Sequence, residues 1–403
     1  MTITDTELDR PDGVVYNPFD RAIADNPYPV YQRLRDEAPV YHNPELDFYA
    51  VSRFEDVLAG HLDHLTFSSA HGVTIEGVER DSPFLIVKDL PDHFWHRKVV
   101  GRVFTPASVA GLEPFIRATA AELLDPFRGA GGFDVVEDFS IKLPLEVISE
   151  LLGIPRSLRH DVHALSDRIA ARDGSAATPE DSFVAMTELH SLLVDLVRDR
   201  RANPGDDVIS LMMLSEVQGD EDGSTRMMTD DELAFRFIEL AFAGHETVAK
   251  LLANGVVALY WYPDQRSELV RDRSLLPNAV EEMLRWDPPS QYQGRWTTRE
   301  VTLHGVTIPA DRRVVLITGA ATHDERRFAN PELFSLHRKI ERHVSLGFGI
   351  HLCLGAALAR LESRVAFDEL LNRFPTFEVA TQGVERSYSS NVRGLAKLPI
   401  ITP

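Results

Sequence analysis

The chain holds a single cysteine, Cys353, inside "GFGIHLCLG" at positions 347–355. A lone thiol cannot close an intramolecular disulfide, and on its own it reads as a small buried hydrophobe. Its neighbours point to chemistry instead. Gly347 and Gly349 permit tight turns or the close approach of a flat ligand. The stretch "LCLGAALARLESRVAFDELL" (352–371) is expected to open an amphipathic helix at the cysteine. A thiol at a helix N-terminus faces the positive end of the dipole and unsatisfied N–H donors, which favours the thiolate. A thiolate acts as a nucleophile or as a metal ligand. His351 is two residues away, but its expected direction is not toward the sulfur, and the chain has no GxSxG elbow. Zinc would want several clustered Cys and His. His93 with His96, and His160 with His163, are spaced three apart, which reads more simply as solvated or hydrogen-bonded pairs. A sole thiolate ligand to haem iron fits a glycine-lined face and amide donors around the sulfur.

Two further groupings carry potential chemistry. In "AGHET" (243–247), Ala243 and Thr247 fall four apart on one helical face, a small residue followed by a hydroxyl. Gly244 within that helix costs about 1 kcal/mol relative to Ala, so space or a kink is expected to be in use there. Close packing of the helix on a neighbour is the plainer account. In "EEMLR" (281–285), Glu282 and Arg285 stand at i, i+3, a pairing common on solvated helices.

Read as xGxGxHxCxG, "LGFGIHLCLG" (346–355) resembles the haem-binding loop of the cytochrome P450 monooxygenases, with Leu346 where the family usually has an aromatic residue. The resemblance runs from "NPYPVYQRLRDEAPV" to "RGLAKLPI", with the motifs in the family's order. It implies Cys353 as the iron ligand of haem b, with Ala243, Gly244, Leu346, Phe348, Gly349 and Gly355 lining the cofactor. His93, Arg97, Arg295 and His351 would supply donors to its two propionates. Glu246 and Thr247 match the family's acid and alcohol, which manage protons during dioxygen cleavage. Glu282, Arg285 and Arg338 match its structural network, although Leu333 stands where many members carry a further arginine. By the same resemblance the substrate pocket draws on residues 68–87, the region around 165–190, the long helix, 288–294 and 389–394. Its candidates are Val73, Ile75, Phe84, Glu239, Leu240, Gln291, Tyr292 and Val392.

The implied reaction inserts one atom of O2 into a mainly hydrophobic small molecule, by hydroxylation or epoxidation. No flavin or nicotinamide motif is present, so a ferredoxin and ferredoxin reductase are the expected electron donors, docking at the basic run "HRKIER" (337–342). A peroxide-driven peroxygenase and a non-catalytic haem sensor are the alternatives. Neither has a use for Glu246 with Thr247.

These residues need a scaffold. The sequence reads as mainly α, with 3.6-residue periodicity over 29–40, 114–127, 180–205 and 230–262. Thr229 or Asp230 offers a cap for the last of these. Short strand signals at 48–52, 300–319 and 395–402 suggest small peripheral β-sheets. Periodicity goes no further than one mostly helical domain over 1–403, and the resemblance adds the cytochrome P450 fold.

A net charge of −20 argues against a nucleic-acid partner and against an anionic membrane surface. No apolar run approaches the roughly 18 residues that cross a bilayer. With no basic, apolar leader at the N-terminus and one cysteine, a cytoplasmic monomer is expected.

Overall fold

Thr229 and Glu232 start the longest element. Thr229 Oγ1 accepts the Glu232 N–H at 3.2 Å and Glu232 Oε2 accepts the Thr229 N–H at 2.8 Å, a reciprocal capping box. Arg226 grips the same carboxylate at 2.7 Å. From there the helix Asp230–Trp261 runs unbroken, with Leu233, Phe237, Ile238, Ala241, Val248 and Leu252 buried. The computed structural model describes residues 13–77, 82–170, 180–205, 207–218 and 225–403. Positions 78–81 and 171–179 of the expected pocket segments, and 219–224 of the acidic loop before the long helix, lie outside the described residues.

The expected helices appear as Tyr28–Glu37, Glu113–Leu124, Glu180–Ala202 and Asp230–Trp261, and the fold is mainly α with small separate sheets. The described residues fall into two compact units. The first comprises Met1–Asp81, Ala253–Cys353 and Val379–Leu398. Its five-stranded sheet has the order Val40–Asn43, Phe48–Val51, Arg313–Leu316, Gln293–Thr297, Phe67–Ser68. Arg313–Leu316 pairs parallel to Phe48–Val51 and antiparallel to Gln293–Thr297. Because successive side chains point to opposite faces, Val314 and Leu316 join one apolar cluster, with Val51, Phe54 and Phe328. Val315 and Ile317 join another, with Tyr16, Tyr31 and Tyr292. A sheet buried on both faces explains why "RRVVLITG" is continuously apolar rather than alternating.

The second unit comprises Ser82–Leu252, Leu354–Glu378 and Pro399–Pro403. It is built of helices, among them Asp92–Gly101, Lys142–Leu152 and Arg156–Ala170, and it includes the long helix through Leu252. The helix Ala356–Arg373 packs on Glu113–Leu124, and Arg117 joins them through Asp368 at 2.8 Å and Glu369 at 2.5 Å. The C-terminal strand signal resolves into two strands. Gly394–Lys397 pairs with Glu385–Ser387 in the first unit, and Pro399–Ile401 pairs with Gly132–Asp134 in the second.

Candidate active site

The helix expected to open at Cys353 instead begins at Ala356, with Gly355 as its cap. The reason lies in the loop. The Cys353 N–H donates to Leu346 O at 2.8 Å, and Leu352 N–H to Gly349 O at 3.1 Å, so the backbone turns back on itself before it becomes helical. Gly347 and Gly349 both sit at φ +67°, the left-handed region that L side chains rarely adopt. A Cβ on Gly349 would fall 2.5 Å from His61 O, so this glycine is also required by the backbone of helix Phe54–Leu62 behind it. The Cys353 thiol is exposed at the end of this turn. Nor is the following helix amphipathic, since buried positions from Leu358 through Leu371 include Leu361, Glu362, Val365 and Phe367.

Upstream, the first unit braces the cysteine loop. Glu282 and Arg285 are fully buried on helix Leu276–Trp286 and paired at 2.7 and 2.9 Å. Arg285 also donates to Thr322 O and Pro331 O, at 3.0 and 2.8 Å. Arg338 reaches Glu282 at 3.0 Å and donates to Ala329 O, Asn330 O and Leu333 O. Leu333 contributes its carbonyl to this network while its side chain is exposed. Buried charges persist only when paired and hydrogen-bonded, and here one carboxylate and two guanidinium groups fasten an irregular segment to a helix. His343 adds a brace that sequence reasoning missed. Its ring contacts Glu281 at 2.9 Å and accepts the Ser345 N–H at 3.2 Å.

Arg295 is buried on strand Gln293–Thr297, donating to Gly294 O at 2.7 Å and contacting His61 Nδ1 at 3.5 Å. Burial first, then the charge of Arg295, lowers the His61 pKa to about 3, so the ring is neutral. His61 Nε2 is buried with no hydrogen-bond partner among the described residues. His61 was also missed, and its pairing with Arg295 across 234 positions leaves no local sequence signal. His351 ends the 3-10 turn Gly349–His351. Phe348 packs against the Val344 and Phe328 cluster, with the Arg342 guanidinium 5.0 Å over its ring, and Leu346 is half-buried.

In the second unit, His93 and Arg97 lie four apart on helix Asp92–Gly101, with His93 buried. On the long helix Ala243 is exposed, and Thr247 Oγ1 donates to Ala243 O at 3.1 Å. Glu246 is half-buried. A Cβ on Gly244 would lie 2.7 Å from Ile148 Cγ1, so this glycine is explained by close packing on helix Lys142–Leu152. Gly355 has only Phe104, at 3.9 Å, near its own Cβ position.

The residues expected to line the pocket make the following contacts. Gln291 is buried, accepting Tyr31 OH at 3.0 Å and donating to Pro288 O at 2.7 Å. Tyr292 is fully buried, and its hydroxyl accepts the Ile75 N–H at 3.3 Å. Ile75 belongs to the core cluster, and Val73 O accepts the Gly294 N–H at 2.6 Å. Val392 bridges Ser290. Leu240 is buried, and Phe84 stands edge-on to Phe235.

The model of the family described as Cytochrome P450 matches residues 177–400. Cytochrome P450 123 of Mycobacterium tuberculosis is 40% identical over 397 residues, covering 96% of each chain. The chain belongs to the cytochrome P450 family. A vitamin D(3) 25-hydroxylase of Pseudonocardia autotrophica is 38% identical over 385 residues, covering 93% of each. The solved structure of cytochrome P450 CYP109Q5 from Chondromyces apiculatus superposes with a TM-score of 0.87 at 32% identity, covering 96% of this chain and 98% of that one.

A cytochrome P450 is a haem b monooxygenase, and this chain is accordingly an oxidoreductase that works with O2, a redox partner and a hydrophobic substrate. Its residues fit that cofactor. An exposed thiol follows two left-handed glycines, and a buried guanidinium stands beside a buried, orphaned imidazole N–H, a donor set suited to a soft metal and to carboxylates. Among the described residues no helix is long and apolar enough to cross a membrane.

Proposed function

We propose that the chain acts as one haem-thiolate domain that hydroxylates an unactivated C–H position of an apolar small molecule, with electrons from a ferredoxin. The balance is R–H + O2 + 2 electrons + 2 protons giving R–OH + H2O. The observation that carries this reading is the loop closed by Cys353 N–H on Leu346 O, which presents the chain's only thiol to an incoming ligand. Cys353 is the iron ligand. Haem, when bound, supplies the reductive activation of dioxygen, which a thiolate ligand promotes, as this family exemplifies.

The protein's own residues do the rest. Arg295 and His351 take the propionates, with His61 Nε2–H a further donor. Thr247 donates its hydroxyl proton to the carbonyl of Ala243, which leaves the oxygen as an acceptor for a second proton carrier. Glu246, half-buried beside it, carries protons from solvent to that hydroxyl. Of the basic run 337–342, His337 pairs with Glu268 and Arg338 is taken up by Glu282, while Lys339 and Arg342 remain exposed to meet an acidic ferredoxin. An apolar substrate is supported by the named activity of the vitamin D(3) relative. The polar groups of Gln291 and Tyr292 are engaged with Pro288 O and the Ile75 N–H inside the protein.

The test is turnover with a ferredoxin, its reductase, NADH and a sterol-like substrate, comparing product with NADH consumed. Wild type should couple the two. Thr247→Ala should keep consuming NADH while product falls about 100-fold or more, the low end of what positioned proton transfer contributes. Equal coupling in both proteins would remove Thr247 from proton delivery.

A further inference from the structure

Two successive carboxylates on helix Leu276–Trp286 hold different parts of the chain. Glu282 takes Arg285, Arg338 and the Ser335 N–H. Glu281 takes His343, with its Oε2 at 2.9 Å from Nε2 across 62 positions of sequence. The His343 side chain is only 4% exposed and carries a second bond, from the Ser345 N–H to Nδ1 at 3.2 Å. A backbone N–H can only donate, so Nδ1 offers its lone pair and the ring proton sits on Nε2, directed at the carboxylate. Both ring nitrogens are committed, which fixes one orientation and one tautomer.

The place of Ser345 in the chain gives this pair its reach. Leu346 follows it, and Leu346 O accepts the Cys353 N–H at 2.8 Å. On the other side Val344 is fully buried in the cluster with Phe54 and Phe328, and its carbonyl accepts the Gly347 N–H at 2.9 Å. The backbone over 344–347 is therefore set by an apolar side chain, by its own turn and by an imidazole held on a rigid helix. Ser345 is buried, so its N–H would lose its acceptor without gaining water if the ring were withdrawn, and the turn would have to shift to satisfy it. Groups that touch no metal themselves but orient the residue that does are as much a part of a metal site as its ligands.

We propose that His343, oriented by Glu281, is a positioning residue for Cys353: by holding the Ser345 N–H it fixes the Leu346 carbonyl on which the Cys353 N–H closes, and so keeps the thiolate directed at the iron. The proposal rests on the reading of Cys353 as the iron ligand.

Two amide substitutions separate the two bonds of the ring. In His343→Asn the side-chain oxygen falls near the place of Nδ1 and can accept the Ser345 N–H, but the side chain stops short of Glu281. In His343→Gln the NH2 group falls near the place of Nε2 and reaches Glu281, but Ser345 loses its acceptor. The haem-loaded proteins are compared by hydrogen exchange at the Ser345 and Cys353 amides. They are compared also by the carbon monoxide difference spectrum after dithionite reduction, in which the ratio of red-shifted to unshifted Soret band reports the share of iron that keeps its thiolate. In His343→Gln exchange at both amides should rise about tenfold, as expected for one lost hydrogen bond. The band ratio should fall about tenfold or more, the low end of what a lost orienting partner costs a metal site. His343→Asn should keep wild-type exchange at Ser345 and most of the red-shifted band, and Glu281→Ala, which leaves the ring in place but unheld, should fall between the two. A ring that merely fills space would make the two amides equivalent. Equal losses in His343→Asn and His343→Gln, exchange at Cys353 that stays at the wild-type rate when exchange at Ser345 rises, or a wild-type band ratio in His343→Gln would each overturn the proposal. Should His343→Gln be recovered without haem, Glu281→Ala carries the test, and wild-type exchange with a wild-type band ratio there overturns it. A wild type without the red-shifted band fails the iron–thiolate reading and the proposal together, whereas a normal wild-type band with unresponsive variants overturns the proposal alone.

Discussion

His61, His96 and His163 show how single side chains set the response of the protein to acid. Burial is the first cause in each case. It lowers His61 to about 3 with help from Arg295, His96 to about 4 with Arg236 and Lys88, and His163 to about 4 with His245. In the unfolded chain each would titrate near its ordinary value of 6.5. Between about 6.5 and about 4 the unfolded state therefore binds more protons, so stability is fully present above that window and is lost as pH falls through it. Urea unfolding of wild type should show ΔG falling from pH 7 to pH 5. His163→Gln should flatten part of that slope, by well under the ~1.4 kcal/mol per pH unit that one proton allows, since the half-buried ring is screened by solvent. An identical slope in the variant would contradict the assignment. The spacing of His160 and His163 attracted notice in the sequence, but the neutral state of His163 follows from burial and from His245, which is remote in sequence.

Among the elements, the brace of Glu282, Arg285 and Arg338 shows what short-range patterns reveal and what they omit. The i, i+3 pair was legible in "EEMLR". Its complete burial was not, because the same spacing occurs on solvated helices. What turns it into a structural clamp is a set of carbonyls at 322, 329, 330, 331 and 333 from an irregular segment with no periodicity to read. Arg285→Leu would leave Glu282 buried with Arg338 as its remaining cation among the described residues, beside the Ser335 N–H. Breaking such a pair should destabilise the protein by about 3–5 kcal/mol in urea unfolding and reduce the haem bound per chain. Loss of less than about 1 kcal/mol would show that the pair is not what holds the segment. The long helix illustrates the opposite case. Its capping box and apolar spacing were both local, and its start at Asp230 follows directly from them.

For the whole molecule, the strength of the sequence reading came from order. Single motifs such as Glu282 with Arg285, or Ala243 with Thr247, are common, but their succession toward a Gly-x-Gly-x-His-x-Cys loop is not. That succession named the family and the cofactor. The surroundings of the expected pocket residues were far less legible, because these residues owe their positions to pairings across the fold. Glu239 is tied to Leu85 over 154 positions, and Gln291 and Tyr292 turn into the core through Tyr31 and Ile75. The account as a whole depends on Cys353 as the sole thiolate at the iron. The most direct test is the difference spectrum of the dithionite-reduced protein with carbon monoxide, for wild type and Cys353→Ser. The wild type should show the strongly red-shifted Soret band from which the family takes its name, and the serine variant should lose it. A wild-type complex that absorbs where histidine-ligated haems do, or a serine variant that keeps the red-shifted band, would contradict it.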